Sequence, residues 1–64
     1  MNRYWLQVHN GNGTLGWEEG HRTLDEALDR IVRIINSGRF GRLLLYEAVH
    51  ELRFTYDNPR PGPR

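Results

Sequence analysis

The 64-residue chain predicts an α+β domain. The expected architecture is a three-stranded antiparallel sheet (β-β-α-β, order 2-1-3) with one helix packed on one face, occupying residues 1–56, and a disordered Pro/Arg-rich tail over 57–64. Three observations predict it. Arg3–His9 (R-Y-W-L-Q-V-H) alternates apolar and polar residues at the strand period, Thr23–Gly38 carries the helical period with signals at both ends, and Leu43–Tyr56 alternates again over its whole length.

Within the first run, Tyr4, Leu6 and Val8 share one side and Trp5, Gln7 and His9 the other, the pattern of a half-buried strand. Asn10-Gly11-Asn12-Gly13 supplies residues that tolerate the positive φ of a tight turn, so a hairpin is expected. Centred there, it pairs His9 with Thr14, Val8 with Leu15, Leu6 with Trp17 and Trp5 with Glu18. That register collects Leu6, Val8, Leu15 and Trp17 on one face and Gln7, His9, Thr14 and Glu18 on the other.

Gly20-His21-Arg22 connects to the helix. Thr23-Leu24-Asp25-Glu26 reads as a capping box: the threonine hydroxyl accepts the N–H of Glu26, and the Glu26 carboxylate reaches back to the N–H of Thr23. Asp25 and Glu26 suit the positive end of the helix dipole. Leu24, Ala27, Leu28, Ile31, Ile34 and Ile35 form the expected core stripe, with Val32 at its margin, while Glu26–Arg30 and Asp29–Arg33 stand at the supportive i,i+4 spacing. Gly38 is placed to end the helix. Leu43–Tyr56 is read as one long strand, bulged near Ala48–Glu51, because its alternation fits a strand better than its apolar positions fit a helical stripe. A right-handed crossover from the second strand through the helix puts this third strand beside the first. Asp57–Arg64, rich in proline, ends the sheet.

Composition narrows the function classes. There are no cysteines, so disulfides and thiolate-metal sites are excluded. No run approaches the length of a membrane span and the first residues form no leader, so a cytoplasmic location is expected. A formal charge of +1 argues against an electrostatically dominated partner such as duplex DNA. All nine basic residues are arginine, a bias that GC-rich coding suffices to produce.

No catalytic pattern emerges, and neither a cofactor nor a metal is expected. His9, His21 and His50 follow no metal-ligand spacing, and Ser37, the only serine, sits at the helix end. A hydrolytic site built on His50 and Glu47 is the weakest of the readings. Asn10–Gly13 does not lead into a helix and so is no phosphate loop. Gly38-Arg39-Phe40-Gly41-Arg42 is the best nucleic-acid candidate, because guanidinium groups at Arg39 and Arg42 flank a ring, Phe40, that could stack on a base.

The remaining signal is apolar. The third strand has large hydrophobics in both parities: Leu44, Tyr46, Leu52 and Phe54 in one, Leu43, Leu45 and Val49 in the other. One helix covers one face, so the opposite face keeps apolar side chains, joined by Trp5. The strand's length also leaves an unpaired edge, which a homodimer through the third strand or a partner's added strand would satisfy. The expected function is therefore a non-enzymatic protein-binding module with Trp5, Leu43, Leu45 and Val49 as anchors. A weak nucleic-acid binder using Arg39, Phe40 and Arg42 is the alternative.

From the first strand through T-L-D-E-A-L, about residues 4–35, the chain is similar to the hairpin-then-helix opening of HicB-like antitoxin domains. The likeness lacks that family's hairpin-completing strand and its DNA-binding module, so it implies a local arrangement and no function. In size and composition the chain also looks like small accessory proteins of phages and other mobile elements, some of which inhibit a host defence complex by binding it.

Overall fold

The computed structural model describes residues 1–48 and 50–59. The elements run β1 (Tyr4–His9), β2 (Leu15–His21), α1 (Leu24–Ser37), β3 (Arg42–Glu47) and β4 (Glu51–Asp57). All strand pairs are antiparallel, in the order β2-β1-β3-β4. The expected order 2-1-3 is thus extended by a fourth strand, which corrects the reading of Leu43–Tyr56 as one long strand. That run folds on itself between Glu47 and Glu51, which pair with each other, and His50 adopts the left-handed conformation, φ 62°. A three-residue hairpin loop needs such a residue. Histidine fills it where glycine or asparagine would have announced a turn, so the alternation runs unbroken through the bend.

The first hairpin also departs from the expected register. Asn10 and Thr14 close its turn, the Asn10 N–H donating to the Thr14 carbonyl at 2.7 Å. Gly16 is then an extra residue in β2, so His9 faces Leu15 but Val8 faces Trp17 and Leu6 faces Glu19. Such a bulge turns every residue before it to the opposite face. Leu15 consequently leaves the core side and is half exposed.

The helix begins and ends as its sequence dictates. Thr23 accepts the Glu26 N–H at 3.2 Å and Gly38 closes the last turn at φ 70°, its N–H bonded to Ile35. The Glu26 carboxylate reaches one residue further back than expected, to the N–H of Arg22 at 3.3 Å. Asp29–Arg33 forms at 3.2 Å, whereas Arg30 turns from Glu26 to Glu19 on β2, at 3.0 Å. That cross-link fixes one flank of α1 over β2.

Leu6, Val8, Ala27, Ile31, Ile34, Phe40, Leu43 and Leu45 form the buried core, with Tyr4, Ile35 and Tyr56 packed against it. Burial of each of the four fully enclosed side chains, Leu6, Val8, Leu43 and Leu45, contributes about 1.5–3 kcal/mol. The apolar stripe of α1 is narrower than expected. Leu24 and Leu28 are each exposed by more than two fifths, because they lie on the flank opposite Arg30, where no further element covers them among the described residues. Asp57 ends β4, and the Asn58 amide donates to the carbonyls of Gly38 (3.2 Å) and Phe40 (2.8 Å). The rest of the expected tail, 60–64, lies outside the described residues.

Candidate functional site

Antiparallel partners share a face, so the three registers give the composition of each side of the sheet. The helix side holds the rows His21–Tyr4–Glu47–Glu51, Glu19–Leu6–Leu45–Phe54 and Trp17–Val8–Leu43–Tyr56. The outer side, which no element covers among the described residues, holds Gly20–Trp5–Tyr46–Leu52, Glu18–Gln7–Leu44–Thr55 and Leu15–His9–Arg42–Asp57. It grades from an aromatic row at one end to a charged row at the other.

Trp5 and Asn2 together fill the space beside Gly20. A Cβ there would strike the Asn2 amide and would lie 2.8 Å from the Trp5 ring carbon Cζ3. Tyr46 stands opposite Trp5 on β3, and with Gln7, Glu18 and His50 the two rings line a shallow cleft. A hydrogen-bonded chain orders the polar wall. His9 Nε2 lies 3.3 Å from Gln7 Oε1, and Gln7 Nε2 donates to Glu18 Oε2 at 3.1 Å. At the far end Arg42 binds Asp57 at 2.5 Å, a pair that holds the aspartate carboxyl below its ordinary value.

Of the residues expected to anchor a partner, the structure leaves Trp5 on the surface, 38% exposed. Leu43 and Leu45 are corrected: at 0% and 1% exposure they are core residues, because their parity, not that of Leu44 and Tyr46, faces the helix. Val49 lies outside the described residues. The expected free edge on the third strand is displaced. β3 is interior, paired to β1 on one side and β4 on the other, and the outer edge belongs to β4, the second half of the run expected to be one strand. The two real edges each carry a bulge, at Gly16 in β2 and Arg53 in β4, a feature that hinders edge-to-edge pairing.

The loop proposed to bind nucleic acid is corrected in the same way. Phe40 is 5% exposed and packs 6.0 Å from the Tyr56 ring, so it has no face to offer a base. Arg42 is exposed but paired with Asp57, and Arg39 is exposed beside it. Gly41 is explained by packing, since a Cβ there would strike the backbone of Asn10 and Gly11. His50 and Glu47 are not brought together: His50 borders the outer cleft, whereas Glu47 is on the helix side, bonded to Arg3 (2.7 Å) and Arg53 (2.8 Å), which lower its pKa. Among the described residues no group of three or more histidines and carboxylates could hold a metal ion, and no helix is long and apolar enough to cross a membrane.

Sequence reasoning put Gln7 and Glu18 on one face but missed Leu44, Tyr46 and Leu52 as members of the same surface. Their alternation was visible, but the side facing the helix is fixed only by the register of β3 on β1. No family model, curated protein or solved structure matches the chain.

Proposed function

We propose that this protein is a non-enzymatic binding module that attaches to a partner protein through the outer face of its sheet and blocks or bridges it. The observation that carries the reading is the uncovered row Trp5–Tyr46–Leu52, with Leu44 beside it. Tryptophan and tyrosine are the side chains most enriched at binding hot spots, and the surrounding Gln7, Thr55, His9 and Arg42–Asp57 give that row a polar rim. Attachment by the face replaces attachment by the third-strand edge. Four strands at about 4.8 Å and six residues at about 3.3 Å give a face of roughly 400 Å². That is about half of the ~800 Å² each partner contributes to a standard interface, so it suits a transient complex anchored at a few side chains. An inhibitory role, of the kind small mobile-element proteins play, requires only that this face occlude a site on a larger complex.

The test is position-specific photocrosslinking in the producing cells. A photoreactive residue at Leu52 or Thr55 should give one discrete adduct, and the same residue at Asn36, on the solvent side of α1, none. Adducts of equal yield from both faces, or none from the outer face, would refute the reading.

A further inference from the structure

Resting on that reading of the outer face, we infer that the cleft between Trp5 and Tyr46 seats a cationic side chain, an arginine or lysine on an extended basic segment of the partner protein. Charge decides the occupant. Of the eight acidic residues, Glu19, Asp29, Glu47, Glu51 and Asp57 are ion-paired, and Asp25 and Glu26 stand in the first turn of α1. Glu18 is left on the outer face with no ion-pair partner among the described residues. The other formal charges there, Arg42 and Asp57, cancel each other. The one uncompensated charge of this face is therefore negative, and it borders the two aromatic rings.

The polar wall is ordered to receive a donor. Gln7 occupies only Oε2 of Glu18, which leaves Oε1 without a hydrogen-bond partner among the described residues, and His9 Nε2 lies within reach of the Gln7 amide oxygen. A cation over an indole or phenol ring is attracted by the ring's negative face, and a carboxylate beside it adds an ion pair. Trp5 packs beside Gly20, in a space it shares with the Asn2 side chain. A phosphate-bearing ligand, by contrast, would meet Glu18 with a like charge.

The experiment titrates the full-length, ¹⁵N-labelled protein with three probes at low salt. They are a capped Gly-Ala-Arg-Ala-Gly peptide, the same peptide with neutral citrulline in place of arginine, and a ten-residue oligothymidylate. The arginine peptide should shift the Trp5 indole N–H and the amides of Gln7, Glu18 and Tyr46 saturably, and the citrulline peptide should bind about tenfold more weakly, having lost both the ion pair and the ring attraction. Glu18→Gln retains an oxygen for Gln7 and so keeps the fold, but should weaken arginine-peptide binding about two- to fivefold, as should added salt. Equal binding of the citrulline peptide, saturable shifts that cluster elsewhere, or preference for the oligothymidylate would overturn the inference. The two readings fail separately. An outer-face crosslink that survives Glu18→Gln, without arginine-peptide binding, overturns the cation seat and leaves protein binding standing. Arginine-peptide binding without any crosslinked partner establishes the seat and removes the protein-binding reading.

Discussion

Truncating Leu45 measures the parity of β3, on which every assignment of the two sheet faces depends. Leu45 is 1% exposed and stands between Leu6 and Phe54 in the helix-side row. Leu45→Ala removes three carbon groups, about 2.4 kcal/mol of transfer free energy at about 0.8 each. The cavity left behind raises this within the range of about 2–5 kcal/mol seen for such core truncations. A domain of this length has a total stability of about 3–10 kcal/mol, so the loss is a large fraction of it. At about 4–8 °C per kcal/mol, the transfer loss alone lowers the midpoint by about 10–20 °C. Leu52 on the outer row is 49% exposed, so Leu52→Ala should cost about 1 kcal/mol or less. Thermal and urea unfolding followed by far-ultraviolet circular dichroism read both variants. If Leu52→Ala lowers the midpoint as far as Leu45→Ala does, or if Leu45→Glu melts like the parent, the faces are exchanged and the proposed site falls with them.

Three further outcomes probe separate parts of the structure. His50→Gly removes a side chain from a left-handed backbone position, so it should stabilise by about 1 kcal/mol and raise the melting midpoint by several degrees; an unchanged or lower midpoint would place the bend elsewhere. Burial pushes the Glu19 carboxyl up, but hydrogen bonds from His21, Trp17 and Arg30 outweigh it and hold the pKa below its ordinary value. The folded state then binds fewer protons than the unfolded one as pH falls below about 4.5, so the stabilisation present at neutral pH is lost toward acid. Glu19→Gln should therefore flatten the decline of the melting midpoint between about pH 5 and pH 2, and an unaltered slope would count against the Glu19 network. Gly20→Ala sets a Cβ against both the Asn2 amide and the Trp5 ring, so it should displace both side chains, shift the indole N–H resonance and cost about 1–3 kcal/mol; an indole resonance that does not move would show that Trp5 does not lie beside Gly20.

What the chain determined by itself is local. The bounds of α1 follow from Thr23 and Gly38, whose cap bonds involve residues three positions away, so a short window of sequence contains all the physics required. The same holds for the existence of β1 and of a turn at Asn10–Thr14, where alternation and the local bonds of Asn10 and Asn12 agree. The tertiary structure decided the fourth strand, the faces and the site. A bend at His50 has no turn-forming residue to mark it, and its strained backbone is held by the pairing of β3 with β4 on either side of it. The Gly16 bulge removes Leu15 from the core side although its apolarity placed it there. Leu43 and Leu45 are indistinguishable from Leu44 by composition. They are buried because β3 pairs with β1 so that they align with Val8 and Leu6 beneath the helix, and Tyr46 is thereby turned outward beside Trp5. Side-chain direction alternates with a period of two, so one residue of register exchanges core for surface, and that register is set by contacts between segments far apart in the chain.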